Sequence, residues 1–201
     1  MLEINLSELQ KNCSCNKAHK LYVKEIIIKE NALEDLPDLV HKYGYAHPVI
    51  LCDDHTYKAA GKQVQKLLPK AKCIQLNSDG LHADERGVEA AEKELNDHCD
   101  LLIAVGSGTI HDITRYLAYH KKLTFYSVPT AASVDGFVST VAAMTWKGFK
   151  KSFTAVSQLC VIADTNIYSK APSRLTASGV ADRLGKSTAL AAWRLSYLQT
   201  G

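Results

Sequence analysis

The chain has 201 residues, of which 46% are hydrophobic and 22% are charged, a composition typical of a globular protein with a core. Its 24 Lys and Arg residues against 21 Asp and Glu residues leave a net charge of only +3, so binding to nucleic acid or to a membrane surface is not indicated. Apolar runs such as residues 101–105 are far shorter than the roughly 20 residues that span a bilayer. We therefore expect one domain, or one domain and part of another.

The amino-terminal segment and the cysteines indicate the compartment. Residues 1–10 include Glu3 and no basic segment that leads into an apolar one, so a secretory signal is not predicted. A chain of this length can fold without disulfides, and several cysteines lie within strand-like apolar runs, which favours reduced thiols. The six cysteines are Cys13, Cys15, Cys52, Cys73, Cys99 and Cys160. We expect a cytoplasmic protein.

Through residue 129, short β-branched runs alternate with helical patterns, which is typical of βαβ units around a parallel sheet. Strands are predicted at residues 23–29, 48–52, 72–76, 101–105 and 123–128. Helices are predicted at residues 32–41, 55–68, 84–96 and 109–120. The pattern predicts an open, Rossmann-like α/β domain.

Beyond residue 129 the alternation ends. A loop of small residues is predicted at 130–139, a β-rich excursion around Trp146 at 141–162, and a last strand that ends at Asp164. From Pro172 onward the pattern is wholly helical. We place a domain boundary near Asp164, which divides the chain into residues 1–164 and 165–201.

The first chemical motif is the strand, turn and helix L-L-I-A-V-G-S-G-T-I-H-D-I-T-R-Y at residues 101–116. Gly106 and Gly108 allow a ligand to approach the backbone, and the N–H groups that begin the helix suit a pyrophosphate. Asp112 stands where a third glycine would complete the usual fingerprint. A tight turn that binds no ligand is the alternative.

The second motif is the acid pair Asp53 and Asp54 at a strand end, where a carboxylate can bind the ribose of an adenosine. The acid normally follows the glycine turn by about 20 residues, whereas Asp53 precedes Gly106 by 53 residues. If both contact one cofactor, the strand order differs from the common arrangement. The alternative is that the two acids cap the next helix.

Two further carboxylates stand among small residues. Asp135 lies in V-P-T-A-A-S-V-D-G-F-V-S, after a strand end, where ligands collect in open α/β sheets. Asp182 and Lys186 lie one helical turn apart in S-G-V-A-D-R-L-G-K. The alternatives are an Asp-Gly turn at residue 135 and an ion pair on a solvated helix face.

Together and in this order, G-S-G-T-I-H-D, V-P-T-A-x-S-V-D-G-F and G-x-x-D-x-L-G-K resemble the bacterial branch of the sn-glycerol-1-phosphate dehydrogenases. That family is similar to glycerol dehydrogenase, the iron-containing alcohol dehydrogenases and dehydroquinate synthase. The resemblance implies the dehydroquinate synthase-like fold: a dinucleotide-binding domain over residues 1–164, then the first helices of a metal-binding helical domain over residues 165–201.

The resemblance also implies roles for single residues. Asp135 matches a catalytic acid on the substrate side, Lys186 is a candidate for the substrate phosphate, and Asp182 matches a metal ligand. The cofactor-binding set is Asp53 at the ribose, Gly106, Ser107, Gly108 and Thr109 at the pyrophosphate, Asp112, Thr130 and Ser133 along the cofactor, and Ser139 near the nicotinamide. His111 is a candidate proton relay or a helix-start residue without a role.

The function that this resemblance implies is reduction of dihydroxyacetone phosphate to sn-glycerol 1-phosphate by NAD(P)H. One zinc or nickel ion would act as a Lewis acid, and the protein would be a homo-oligomer. The alternatives are a glycerol or other polyol dehydrogenase, or a dinucleotide-binding module without catalysis. Cys13, Cys15 and His19 do not have the spacing of a zinc site.

The helical segment at residues 172–198 carries apolar residues nearly all round, which predicts burial among further helices. Asp182 alone cannot hold a catalytic ion that takes three protein ligands. We expect this chain to be the front part of a longer protein, inactive alone, with two metal-binding histidines further on.

Overall fold

The computed structural model describes residues 4–10 and 20–200, and a parallel sheet of six strands forms its centre. The strands within these residues are β1 (Glu25–Lys29), β2 (Pro48–Asp53), β3 (Lys72–Leu76), β4 (Leu101–Gly106), β5 (Thr124–Pro129), β6 (Val141–Trp146), β7 (Phe149–Thr154) and β8 (Cys160–Asp164). The sheet order is β1-β8-β5-β4-β2-β3, and every neighbouring pair is parallel. The predicted open α/β fold is confirmed.

Apolar side chains cover both faces of the sheet, because alternate residues of a strand point to opposite faces. In β4, Ile103 and Val105 belong to one hydrophobic cluster, whereas Leu102 and Ala104 belong to the other. All four are fully buried. The continuous apolar run at 101–105 therefore has the composition that a strand covered on both faces requires.

Helices connect the strands and pack on both sides. They are α1 (Leu36–Lys42), α2 (Asp54–Thr56), α3 (Lys62–Leu67), α4 (Glu85–Glu94), α5 (Gly108–Lys121), α6 (Thr165–Tyr168) and α7 (Ser173–Thr200). The helix predicted at 32–41 begins as a 3-10 turn, Ala32–Asp35. The helix predicted at 55–68 contains a π-helical turn, Tyr57–Gly61, between α2 and α3.

The β-rich excursion is an antiparallel hairpin of β6 and β7. Its two-residue turn consists of Lys147 and Gly148, both with positive φ, the conformation that matches the twist of a hairpin. Trp146 and Phe153 stack with Tyr116 of α5, so the hairpin packs on the helix that follows β4.

Helix α7 extends from this body for 28 residues. Seven of its large apolar side chains are more than half exposed in the described structure: Val180, Leu184, Leu190, Trp193, Leu195, Tyr197 and Leu198. The sheet's last strand ends at Asp164, but a division into two domains there stays a prediction. No helix in the described ranges is both long and apolar enough to cross a bilayer.

Candidate functional site

The carboxyl end of the sheet contains a topological switch point between β2 and β4. The chain passes from β2 outward to β3, whereas β4 is followed on its other side by β5 and then β8. Leu51 of β2 pairs with Ala104 of β4, so the same register places Asp53 level with Gly106. Open α/β sheets bind ligands at such a point. The tertiary structure therefore brings the acid and the glycine turn together despite their order in the chain.

A cleft of about 1020 Å³ opens at this end of the sheet. Four of the predicted cofactor-binding residues line it, namely Asp53, Ser107, Thr109 and Thr130. The other lining residues lie at or after the carboxyl ends of β1, β2, β3, β5 and β8. Those with polar side chains are Asn31, His55, Thr56, Lys58, Gln63, Ser78, Asp164, Asn166, Lys170 and Arg174. Its size suits a ligand larger than a simple metabolite.

The start of α5 offers hydrogen-bond donors to this cleft. Ser107 is the N-cap residue, but its side chain does not accept a hydrogen bond from the helix. The first N–H groups of a helix have no partner within the helix, and the helix dipole makes this end favourable for a phosphate. In contrast, Asp53 and Asp164 cap their helices with their own carboxylates. The start of α5 is therefore an uncapped helix end that faces the cleft.

The two glycines of the turn do not line the cleft. A Cβ on Gly106 would lie 2.6 Å from Cβ of Ile110, so this glycine permits the strand to meet α5 closely. A Cβ on Gly108 would lie 3.4 Å from a methyl carbon of Val134. The structure shows that Gly106 permits close packing of β4 against α5. Contact of either glycine with a ligand stays a prediction.

The carboxylates of Asp53 and Asp54 both accept hydrogen bonds from other residues of the protein. Thr56 N donates to Asp53 Oδ1 at 2.8 Å, and Asp53 N donates to Thr56 Oγ1 at 2.9 Å. Ser78 N and Oγ donate to Asp54, and the hydrogen bond from Ser78 N is the main reason that the pKa of Asp54 is lowered. Capping, the alternative for this pair, is therefore correct for Asp53, which also lines the cleft.

The predicted loop after β5 lines part of the cleft. Thr130 and Ser133 are both buried, and Thr130 N donates to the carbonyl of Gly106 at 2.9 Å. Of the two, Thr130 lines the cleft and Ser133 does not. Ser139 accepts a hydrogen bond from Val141 N at 2.9 Å, outside the cleft. Roles of Ser133 and Ser139 toward a cofactor stay predictions.

Asp112 and Arg115 form an interaction that the sequence pattern did not predict. Arg115 is 2% exposed and donates to Asp112 Oδ1 at 2.8 Å, to the carbonyl of Gly136 at 2.9 Å and to that of Val141 at 3.2 Å. Burial raises the pKa of the Asp112 carboxyl to about 6, against the opposing charge of Arg115. The pair connects α5 to the loop that carries Asp135, and Asp112 is not among the cleft-lining residues.

His111 is buried in α5, next to the turn that contains Ser107. Its Nδ1 lies 2.8 Å from the carbonyl of Ser107, which can only accept, so Nδ1 carries the proton. Nε2 then accepts from Ser127 Oγ at 2.7 Å. Burial lowers the pKa of His111 to about 4. A neutral, fully bonded imidazole favours the structural alternative over a proton relay.

A second group of predicted residues meets at α7. Asp182 Oδ2 accepts from Asp135 N at 2.9 Å, and Lys186 Nζ lies 3.2 Å from Asp135 Oδ2. Gly179 permits this approach, because a Cβ there would lie 2.0 Å from the carbonyl oxygen of Ala132. The structure therefore brings Asp135, Asp182 and Lys186 together, but none of them lines the cleft.

The described residues do not complete a metal site. No group of three or more His, Cys, Asp and Glu side chains in residues 4–10 and 20–200 is placed to hold an ion, whereas a catalytic zinc site takes three protein ligands. Asp182 can supply one carboxylate. Cys13, Cys15 and His19 lie outside the described residues, and the four cysteines within them are free thiols.

A family model of the iron-containing alcohol dehydrogenases matches residues 27–172. The chain belongs to this family. It is 40% identical over 189 residues to the NAD(P)+ glycerol-1-phosphate dehydrogenase of Bacillus velezensis, an alignment that covers 90% of this chain and 48% of that protein. It is 38% identical over 197 residues to the enzyme of the same name from Bacillus licheniformis, which covers 94% and 49%. The resemblance predicted from the motifs is confirmed.

Solved structures support the fold of this iron-containing alcohol dehydrogenase chain. The glycerol dehydrogenase of Schizosaccharomyces pombe superposes with a TM-score of 0.70 at 22% identity, over 81% of this chain and 42% of that one. The chain spans about half the length of the curated relatives that it matches.

Asn31, Asp164 and Asn166 are cleft residues that sequence reasoning missed. Asp164 is 2% exposed and accepts from the backbone N–H groups of Asn31, Leu33 and Asn166. The signal was available, since Asp164 follows a strand and precedes a helix in the same way as Asp53.

Proposed function

We propose that this chain provides the dinucleotide-binding part of an oxidoreductase that reduces dihydroxyacetone phosphate to sn-glycerol 1-phosphate with NAD(P)H. One observation carries the proposal: the uncapped start of α5 opens on the cleft at the switch point, with Asp53 level with it on the adjacent strand. Relatives named NAD(P)+ glycerol-1-phosphate dehydrogenase, at 40% and 38% identity, support the choice of substrate.

The cleft residues fit a dinucleotide. The first N–H groups of α5 donate to the pyrophosphate, and the helix dipole stabilises its charge. Asp53 Oδ2 has no hydrogen-bond partner within the described part of the chain and accepts from the adenosine ribose. Thr130, with 6% of its surface exposed, lines the cleft from the loop after β5. When bound, the nicotinamide supplies the hydride that reduces the ketone carbon.

Asp135 and Lys186 belong to the substrate side of this proposal, and Ser139 belongs to the nicotinamide side. The ion pair between Lys186 and Asp135 holds an ammonium group beside the loop after β5. That group suits a substrate phosphate, because an ammonium binds phosphate as a point charge. Arg115 donates to the carbonyls of Gly136 and Val141, on either side of Ser139. These hydrogen bonds hold the loop from which Ser139 would contact the nicotinamide.

A zinc or nickel ion bound in part by Asp182 belongs to the proposal for the intact protein, as does assembly into a homo-oligomer. The described residues supply one carboxylate for such an ion instead of three ligands. In the intact protein such an ion would act as a Lewis acid on the ketone oxygen, with Asp182 as one of its ligands.

Substitution of Ser107 tests the dinucleotide site. Ser107→Asp places a carboxylate at the N-cap, where it accepts from the first N–H groups of α5 and repels the pyrophosphate. Ser107→Ala leaves those N–H groups free, because the Ser107 side chain accepts no hydrogen bond from the helix. We expect Ser107→Asp to weaken NADH binding by about a hundredfold, the cost of an unfavourable charge in a phosphate site. Ser107→Ala should bind within a few-fold of the unsubstituted chain in the same calorimetric titration. Equal affinities of the two variants would contradict the cofactor site.

The substrate is tested on the intact protein by comparing the rate of NADH oxidation with dihydroxyacetone phosphate and the rate of NAD+ reduction with glycerol. Preference for the phosphorylated ketone is the expected result. A preference for glycerol would assign the chain to a polyol dehydrogenase instead.

A further inference from the structure

Lys58, a cationic residue five positions after Asp53, lines the same cleft as Asp53. In many dinucleotide folds, an acid at the end of the strand reads the ribose hydroxyls and rejects a 2′-phosphate by charge repulsion. Here Asp53 is anchored by the reciprocal hydrogen bonds with Thr56, so its carboxylate is held at the start of the helix. The charges nearby then decide whether a 2′-phosphate is tolerated.

The other acids at this edge accept hydrogen bonds from groups other than Lys58. Asp54 accepts from both N and Oγ of Ser78, at 2.7 and 2.9 Å. Asp164 accepts from three backbone N–H groups. Neither carboxylate forms an ion pair with Lys58 in the described part of the chain.

Lys58 is the cation placed closest in the chain to Asp53. It lies in the π-helical turn that directly follows the turn capped by Asp53, and Asp53, Thr56 and Lys58 line the same cleft. Its side chain is exposed and forms no ion pair with any residue in the described ranges. In contrast, the ammonium of Lys186 is engaged by Asp135. Lys170 and Arg174 line the cleft from the segment after β8, away from the ribose end.

We propose that Lys58 is a specificity-determining residue: its ammonium group binds the 2′-phosphate of NADP(H), and the site therefore accepts both the phosphorylated and the unphosphorylated dinucleotide. This inference rests on the proposed function, since it assumes that the adenosine ribose lies at Asp53. Asp53 accepts the ribose hydroxyls of NAD(H), and Lys58 supplies the charge that the additional phosphate of NADP(H) needs.

The experiment compares ADP-ribose with 2′-phospho-ADP-ribose, because these probes differ only in the phosphate. Binding to the full 201-residue chain is measured by calorimetry for the unsubstituted protein, Lys58→Ala and Lys62→Ala. Lys62 is the matched control, an exposed lysine at the start of α3 that does not line the cleft. Both positions are on the helix surface, so both variants are expected to fold.

We expect Lys58→Ala to lose about tenfold in affinity for 2′-phospho-ADP-ribose, the effect of one exposed charge-assisted contact. Its affinity for ADP-ribose should change by less than about twofold, and Lys62→Ala should leave both affinities unchanged. Equal losses for the two probes, or no loss for either, would overturn the role of Lys58. Failure of the unsubstituted chain to bind either probe would instead overturn the proposed function and this inference with it.

Discussion

The central sheet and α7 contain the same kinds of apolar residue in opposite environments. Leu102 and Ile103 in β4 are fully buried, whereas Leu190 is 61% and Trp193 is 74% exposed. Strand β4 has a neighbouring strand on each edge and an apolar cluster on each face. Burial is therefore decided by what packs against an element, and the same side chain stabilises one region strongly and the other hardly at all.

Polar and backbone contacts hold α7 to the body where apolar packing does not. Asp182 accepts from Asp135 N, Lys186 pairs with Asp135, and Gly179 packs against the carbonyl of Ala132. No hydrogen bond or ion pair joins residues 187–200 to another element of the described structure. The helix is therefore attached through its first half, at the loop that carries Asp135.

The largest expected contrast is between one leucine in each region. Leu102→Ala should lower the free energy of unfolding by about 2–5 kcal/mol, because it removes a fully buried side chain and leaves a cavity. Leu190→Ala should change it by less than about 0.5 kcal/mol, since the side chain is exposed. Urea unfolding of the two variants measures both values. Similar losses would show that α7 is packed as the sheet is.

His111 should contribute to the pH dependence of stability, with a sign opposite to that of Asp112, whose pKa is raised by burial. Burial lowers the pKa of His111 from 6.5 to about 4, so between these pH values the unfolded chain binds more protons than the native one. The contribution of neutral His111 is therefore complete above pH 6.5, and about 2–3 kcal/mol is lost as the pH falls toward 4.

Urea unfolding at about pH 7 and about pH 5, on either side of the ordinary pKa of histidine, measures this loss. His111→Gln removes the titrating group, so stability should fall less between the two pH values than in the unsubstituted chain. An unchanged pH dependence in the variant would show that His111 does not carry it.

A smaller effect distinguishes two glycines of α7. Alanine is favoured over glycine within a helix by about 1 kcal/mol, and a Cβ on Gly185 would have no other atom within 4 Å, so Gly185→Ala should stabilise the helix. Gly179→Ala would place its Cβ 2.0 Å from the carbonyl oxygen of Ala132, which should displace α7 from the loop.

Amide hydrogen exchange at Asp135 reports the displacement, because its N–H donates to Asp182. Exchange should accelerate by about tenfold in Gly179→Ala, the loss of one hydrogen bond, and stay unchanged in Gly185→Ala. Equal protection in both variants would show that the close approach at Gly179 is unnecessary.

The strands and the turn of the site were predictable because their patterns are local. The run at residues 101–105 and the strand predicted at 72–76 are in place, and Leu101–Gly106 and Lys72–Leu76 differ from the predictions by one residue or none. The π-helical turn Tyr57–Gly61 was not predicted, because its local pattern is that of an ordinary helix.

Local sequence patterns are enough to predict the alternation of strands and helices, the family and the residues at strand ends. Which of those ends meet depends on the order of the strands in the sheet. Asp53 and Gly106 are neighbours because β2 and β4 are adjacent, and strand order is a property of long-range pairing that no local pattern contains. The partners of Arg115 and the burial of His111 depend on the same pairing, since both side chains contact residues at least 16 positions away.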